Sequence, residues 1–363
     1  MPGAIPRTIG AGHPMLLRLV TPAPRGLSTG NRVTAHRWSL ILRSLGHRVV
    51  EERTYGGGAA DALIALHARK SFPSVHRFHR LHPGRPLVVA LTGTDLYGDL
   101  QVDWRAACSV EWATRLVVLQ PEGIAAVPAR FRAKARVILQ SSTPPAGKVA
   151  PPRGEFRVCV AGHLRAVKDP FRAAMAARLL SVSSRIRVVH LGRALTPGAG
   201  RRARREMARN PRYRWLGEVP RRRALRILAG SKLMILSSRI EGGANILSEA
   251  LAAGVPVLAA RVAGSVGILG RDYPGFFPPG DTRRLAALME RSESDPRFLA
   301  RLEARCHRVA RRHHPFRERE SWKRLLRELI RGSGGPGRKP APRTRWERGR
   351  SVLSSPGRAP LPE

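Results

Sequence analysis

Short, mostly apolar runs alternate with longer amphipathic stretches along most of the chain. Residues 16–20 (LLRLV), 61–66 (DALIAL), 87–91 (LVVAL), 116–119 and 137–139 predict strands of one sheet, and GHRVV, from Gly46, starts the strand that follows the first of them. Their apolar positions are mostly consecutive rather than alternating, as in strands buried on both faces of a parallel sheet. A helical pattern runs to Gly46 with Trp38, Ile41, Leu42 and Leu45 facing inward. A second series follows at 156–161 (FRVCVA), 186–191 (IRVVHL), 214–216, 232–236 (KLMIL) and 255–260. Between its last two runs the pattern predicts a helix from Ala244 or Asn245 to Ala253. Ile246, Leu247, Ala250 and Leu251 share one face of it, Gly254 is the stop, and Pro256 lies just beyond. Strands alternating with helices imply an α/β, doubly wound architecture.

Punctuation divides the chain. The stretch 142–155 (STPPAGKVAPPRGE) is dense in Pro and Gly and reads as a linker between domains at 15–141 and 156–314. Residues 1–14 read as a loose leader, an Asp281-capped helix lies within the second domain, and 315–331 as a helix crossing back to brace the first domain through Trp322, Leu325, Leu326 and Leu329. Residues 332–363, rich in Gly, Pro and basic side chains, read as a disordered basic tail.

Candidate chemistry gathers at the predicted carboxyl ends of strands, where open α/β sheets bind ligands. In the first domain these ends carry Gly30, Asn31 and Arg32, then His67, Arg69 and Lys70 (HARKS), then Thr94 and Asp95 (TGTD). In the second they carry GHLRAVKDP, with His163, Arg165 and Lys168, and the block SSRIEGGANILSEALAAGVPVLAA. Its glycines, Gly242 and Gly243, suit a loop whose backbone approaches a ligand closely. The helix N-terminus after them suits an anion. Glu241 and Glu249 stand out in a segment that otherwise excludes charge.

EGGANILSE followed by ALAAGVPV resembles the signature of the GT-B glycosyltransferases commonly numbered family 4. That resemblance implies two doubly wound Rossmann-like domains facing a cleft. It gives Glu249 the ribose hydroxyls of a nucleotide-sugar and Glu241 the donor hexose, with Gly243, Ala244 and Asn245 also on the donor. Many relatives place an Arg where this chain has His163, with a Lys at the place of Lys168. Others, such as the malate glycosyltransferases of bacillithiol synthesis, carry the Arg where Arg165 stands. Arg165 and Lys168 are therefore the pair expected to stabilise a leaving diphosphate, with His163 in a supporting role. No DxD metal motif accompanies them, and no cofactor is expected beyond the UDP-sugar co-substrate. In TGTD the family's His is replaced by Thr, which leaves Asp95 as the matching polar group.

Charge and cysteine content refine the picture. A formal net charge of +41 suggests nucleic acid or an anionic surface. However, only 7 of the 66 basic residues are lysine, and the 59 arginines (66 minus 7) are spread along the entire chain with no nucleic-acid motif. No nucleic-acid partner is expected, whereas an anionic substrate is well served. Cys108, Cys159 and Cys306 lie far apart without a CxxC, as in a reduced, cytoplasmic protein. No apolar run reaches the roughly 18 residues that a membrane span needs.

Finer strings, namely TGNRVTAHRW, ALHARKS, VVALTGTDLYGDL, VVLQP, GHLRAVKDP and LSSRIEGGAN, resemble the selenosugar synthases of selenoneine biosynthesis. That resemblance implies transfer of the sugar of a UDP-sugar to selenophosphate, an anionic nucleophile that needs cations more than a base. Arg32, Arg37, His67, Arg69 and Lys70 are the basic candidates on the acceptor side, where the sequence shows no Asp/His dyad. A hydroxyl acceptor, or a non-catalytic scaffold of the same fold, are the alternatives.

Overall fold

A computed structural model describes residues 13–23 and 29–332. The expected leader up to residue 12 and the expected tail from 333 lie outside the described residues, as does 24–28 in the first loop.

Twelve strands form two six-stranded parallel sheets. The first contains β1 (Leu16–Val20), β2 (Arg48–Glu52), β3 (Ala62–Leu66), β4 (Leu87–Leu91), β5 (Arg115–Val118) and β6 (Ala135–Val137), in the order β2-β1-β3-β4-β5-β6. The second contains β7 (Phe156–Ala161), β8 (Ile186–Leu191), β9 (Tyr213–Trp215), β10 (Leu233–Leu236), β11 (Val257–Ala260) and β12 (Phe276–Phe277), in the order β12-β11-β10-β7-β8-β9. Every residue of β3, β4, β10 and β11 is buried, which is why their sequences read as unbroken apolar runs. Strand β6 begins two residues earlier than the sequence suggested. Ile138 still donates its N–H to Val118, but Leu139 already turns into the segment joining the two sheets.

The strand order in each sheet reverses at one point, between β1 and β3 in the first and between β7 and β10 in the second. Connections leaving two such neighbouring strands diverge to opposite faces and open a crevice at their carboxyl ends. The helix Gly30–Ser44 follows β1 and is capped by the Thr29 hydroxyl, while Asn245–Ala252 follows β10. Gly254 ends the latter helix at φ +70°, the left-handed conformation that glycine adopts without strain.

Helix Pro315–Gly332 belongs by position to the end of the chain but packs on the first sheet. Trp322, Leu325, Leu326 and Leu329 share a core with Trp38, Leu42, Leu17 and Ile64, and Trp322 meets Trp38 edge-to-face at 4.8 Å. Glu318, with no exposed side-chain surface, sits beside them. It accepts hydrogen bonds from Trp38 Nε1 (2.7 Å), Arg37 Nε (2.9 Å) and the Ser141 backbone N–H (2.8 Å). A buried carboxylate requires this number of partners. The helix Pro296–Ala310, which the sequence reading passed over, covers the second domain through Phe298, Leu302 and Cys306.

Candidate active site

The two switch points face each other across a cleft. A hollow of about 230 Å³ is lined by Gly30, Asn31, His67, Lys70 and Thr94 of the first domain and by Arg165, Lys168, Glu241, Gly243, Ala244 and Asn245 of the second. A second hollow, of about 250 Å³, shares Gly30, Arg165, Lys168, Ala244 and Asn245 with it and runs deeper into the second domain to Gly192, Glu218, Arg221 and Glu249. The two form one continuous groove whose middle is held by Arg165 and Lys168.

Of the expected donor-side residues, Glu241 and Glu249 are both buried, at 7% and 6% exposure. Glu241 pairs with Lys168 Nζ and also accepts from Ser238 Oγ at 2.7 Å. Glu249 pairs with Arg221 Nη2 at 2.5 Å. Asn245 accepts from Arg37 Nη1 (2.8 Å) and donates to the Gly30 carbonyl (3.0 Å) and to Thr34 Oγ1 (3.0 Å), so it ties the two domains together. His163 accepts the Arg193 backbone N–H on Nδ1 while lining the deeper hollow.

The glycine pair also packs tightly against the first domain. A Cβ at Gly242 would lie 2.5 Å from the Thr92 carbonyl, and one at Gly243 would lie 2.5 Å from Leu119 Cβ. The close approach that these glycines permit includes one to the backbone and side chains of the first domain, and both also line the hollow.

On the first-domain side, Lys70 faces Arg165 across the groove. Its pKa is lowered, first by the desolvation it undergoes beside the cleft wall and then by the Arg165 charge, although part of its side chain remains open to solvent. His67 adopts φ +75°, an uncommon conformation for a side chain of this size that costs on the order of 1–3 kcal/mol. Burial lowers its pKa, so the imidazole is held neutral. Nδ1 accepts the Lys70 N–H at 3.4 Å, and Nε2 is 3.2 Å from Thr94 Oγ1.

Three expected acceptor residues are placed elsewhere. Asp95 is fully buried and accepts the backbone N–H groups of Ala68, Thr92 and Gly93, at 3.0, 2.9 and 2.8 Å. It holds the two strand-end loops and does not face the groove; at 3.9 Å from His67 Nδ1 it does not complete a dyad. Arg69 turns away to Asp99, at 3.0 Å. Arg32 lines a separate hollow with His36 and Leu40. Two groove residues escaped the sequence reading. Arg221 meets Glu249, and Gln140, at the end of the first sheet, donates to Thr34 Oγ1 at 2.6 Å. Among the described residues no His, Cys, Asp and Glu cluster suits a metal ion.

Residues 146–313 match the family model described as Glycosyl transferases group 1. Solved structures share the fold. The HepE protein of Anabaena, crystallised with UDP and glucose, superposes with a TM-score of 0.70 at 15% identity, over 86% of this chain and 100% of its own. Sucrose-phosphate synthase from Thermosynechococcus elongatus gives 0.69 at 15% identity, over 87% and 99%. An Escherichia coli structure described as trehalose-6-phosphate bound with UDP-2-fluoro glucose gives 0.65 at 11% identity, over 87% and 99%. The fold is thus that of the GT-B glycosyltransferases. The second half of this chain is a glycosyl transferases group 1 domain, and the chain is a glycosyltransferase.

Proposed function

We propose that the protein transfers the sugar of a UDP-sugar to a small, already anionic acceptor, and that this acceptor is selenophosphate, giving a 1-selenosugar. The groove suits the donor in three successive parts. Glu249 would take the ribose, Arg165 and Lys168 the diphosphate, and Glu241 the hexose, as the signature resemblance implies. Relatives in fold support the same donor class, since several carry UDP or a UDP-sugar. Two cations aimed at the departing diphosphate stabilise the charge that develops as the glycosidic bond breaks, and they do so in a site partly closed to water.

One observation carries the acceptor reading. Among the described residues lining the acceptor hollow, Glu241 is the sole carboxylate, while Lys70, Arg165 and Lys168 are all cations. An acceptor that must lose a proton calls for a base there, whereas an anionic nucleophile calls for positive charge. A hydroxyl acceptor is the second reading, favoured by His67, a buried imidazole that lines the hollow. Incubating the purified chain with UDP-glucose or UDP-N-acetylglucosamine, each with selenophosphate or with hydroxyl acceptors, separates the two. A selenosugar mass together with UDP release is the expected outcome. UDP release and a product mass only with hydroxyl acceptors would overturn the selenophosphate assignment.

A further inference from the structure

We infer that Arg221 is a positioning residue for the nucleotide, holding the Glu249 carboxylate turned so that it accepts the ribose hydroxyls; this rests on the donor reading above. Glu249 is almost wholly removed from water, and a carboxylate so placed needs hydrogen-bond partners to fix its oxygens. Arg221 supplies one by donating from Nη2 to Oε1 at 2.5 Å, from a helix 28 residues away in sequence. Both side chains line the deeper hollow. With Oε1 engaged, Oε2 is the oxygen left to accept from a vicinal diol.

The helix bearing Arg221 supplies an independent argument. Arg221–Ala229 begins with three consecutive arginines, has no acidic residue in its first turn and has no side-chain cap. Cations at the positive end of a helix dipole are locally unfavourable. Nothing within the helix therefore favours arginine at its first position, and the contact that does is the one to Glu249. Arg221 also lines an outer hollow together with Arg32 and His36.

Titration calorimetry on the full chain tests this, using UDP and 2′,3′-dideoxy-UDP with the wild type, R221A, R221K, R222A and E249A. Arg222 is the control for general charge, being exposed on the same helix. The expectation is that R221A weakens UDP by about tenfold but dideoxy-UDP by less than about twofold, with R221K intermediate and R222A close to wild type. If R221A binds UDP like the wild type while E249A does not, the inference fails and the donor reading stands. Equal losses for both ligands in R221A, or an equal loss in R222A, also overturn it, because they would reflect bulk charge or damage to the fold. A wild type that binds no UDP would overturn the donor reading and the inference together.

Discussion

Arg69 and Lys70 are neighbours in a basic string, yet the fold separates their uses: Arg69 neutralises Asp99, and Lys70 faces Arg165 across the groove. If the acceptor is an anion, Lys70→Ala should raise its KM by about tenfold, equivalent to ~1.4 kcal/mol, a discount on a buried contact because the lysine is partly open to water. Donor affinity and the acceptor KM of Arg69→Ala should change little. The pH dependence has a definite sign. Because desolvation and Arg165 lower the Lys70 pKa, the ammonium loses its proton at a lower pH than an ordinary lysine. Acceptor affinity should therefore fall as pH rises through that lowered value. Lys70→Arg, which stays charged, should delay the fall. Steady-state kinetics across the alkaline range would show this, and superimposable pH profiles for the wild type and Lys70→Arg would remove Lys70 from the acceptor site. Residues of this kind mark the limit of what the sequence tells. The HARKS string places cations at a strand end, but which of them turns inward depends on Asp99 and Asp103 on another loop. Asp95 matches a motif position, yet its oxygens accept three backbone N–H groups, a partnership set by the fold of two neighbouring strand ends.

Among the elements, legibility follows the width of the apolar pattern. Strands β1, β4, β7 and β8 coincide with their apolar runs, since a strand covered on both faces is apolar at nearly every position. Helix Pro296–Ala310 was harder to read. Its buried positions, Phe298, Leu302 and Cys306, form a stripe one residue wide among arginines, although Asp295 caps it and Pro296 opens it in the usual way. Arg221 had no local signal beyond three arginines after a proline, since its partner is set by tertiary packing. Helix Pro315–Gly332 was legible as an amphipathic helix with Trp322, Leu325, Leu326 and Leu329 on one side, and they join the first-domain core. Trp322→Ala should then cost about 3–5 kcal/mol, the range for truncating a large buried aromatic. Urea denaturation would measure it, and a loss below about 1 kcal/mol would mean that this helix is not part of the first domain's core.

Across the whole molecule, the two sheets are brought to a working distance by contacts that tolerate no extra atom. Gly242 lies against the Thr92 carbonyl and the Gly93 N–H, Gly243 against Leu119, and Asn245 spans from the second domain to Gly30, Thr34 and Arg37 of the first. These contacts place Lys70 opposite Arg165 and so complete two adjoining hollows, each lined by residues of both domains. Gly242→Ala tests whether that arrangement is the one that reacts. Its Cβ would meet backbone atoms at 2.5 to 2.7 Å, and backbone cannot rotate away as a flexible side chain does. Neither domain's core is touched, so each should stay folded while the domains move apart. A misplacement of about 1 Å between reacting groups can cost about a hundredfold in rate. The variant should therefore lose kcat by about ten- to a hundredfold, keep UDP affinity within about threefold because the residues proposed to hold the ribose and diphosphate all belong to the second domain, and show a larger radius of gyration in solution scattering. A variant with wild-type kcat and an unchanged radius of gyration would mean that the loop yields without separating the domains, and that the tight Gly242 contact is not what sets the distance between donor and acceptor.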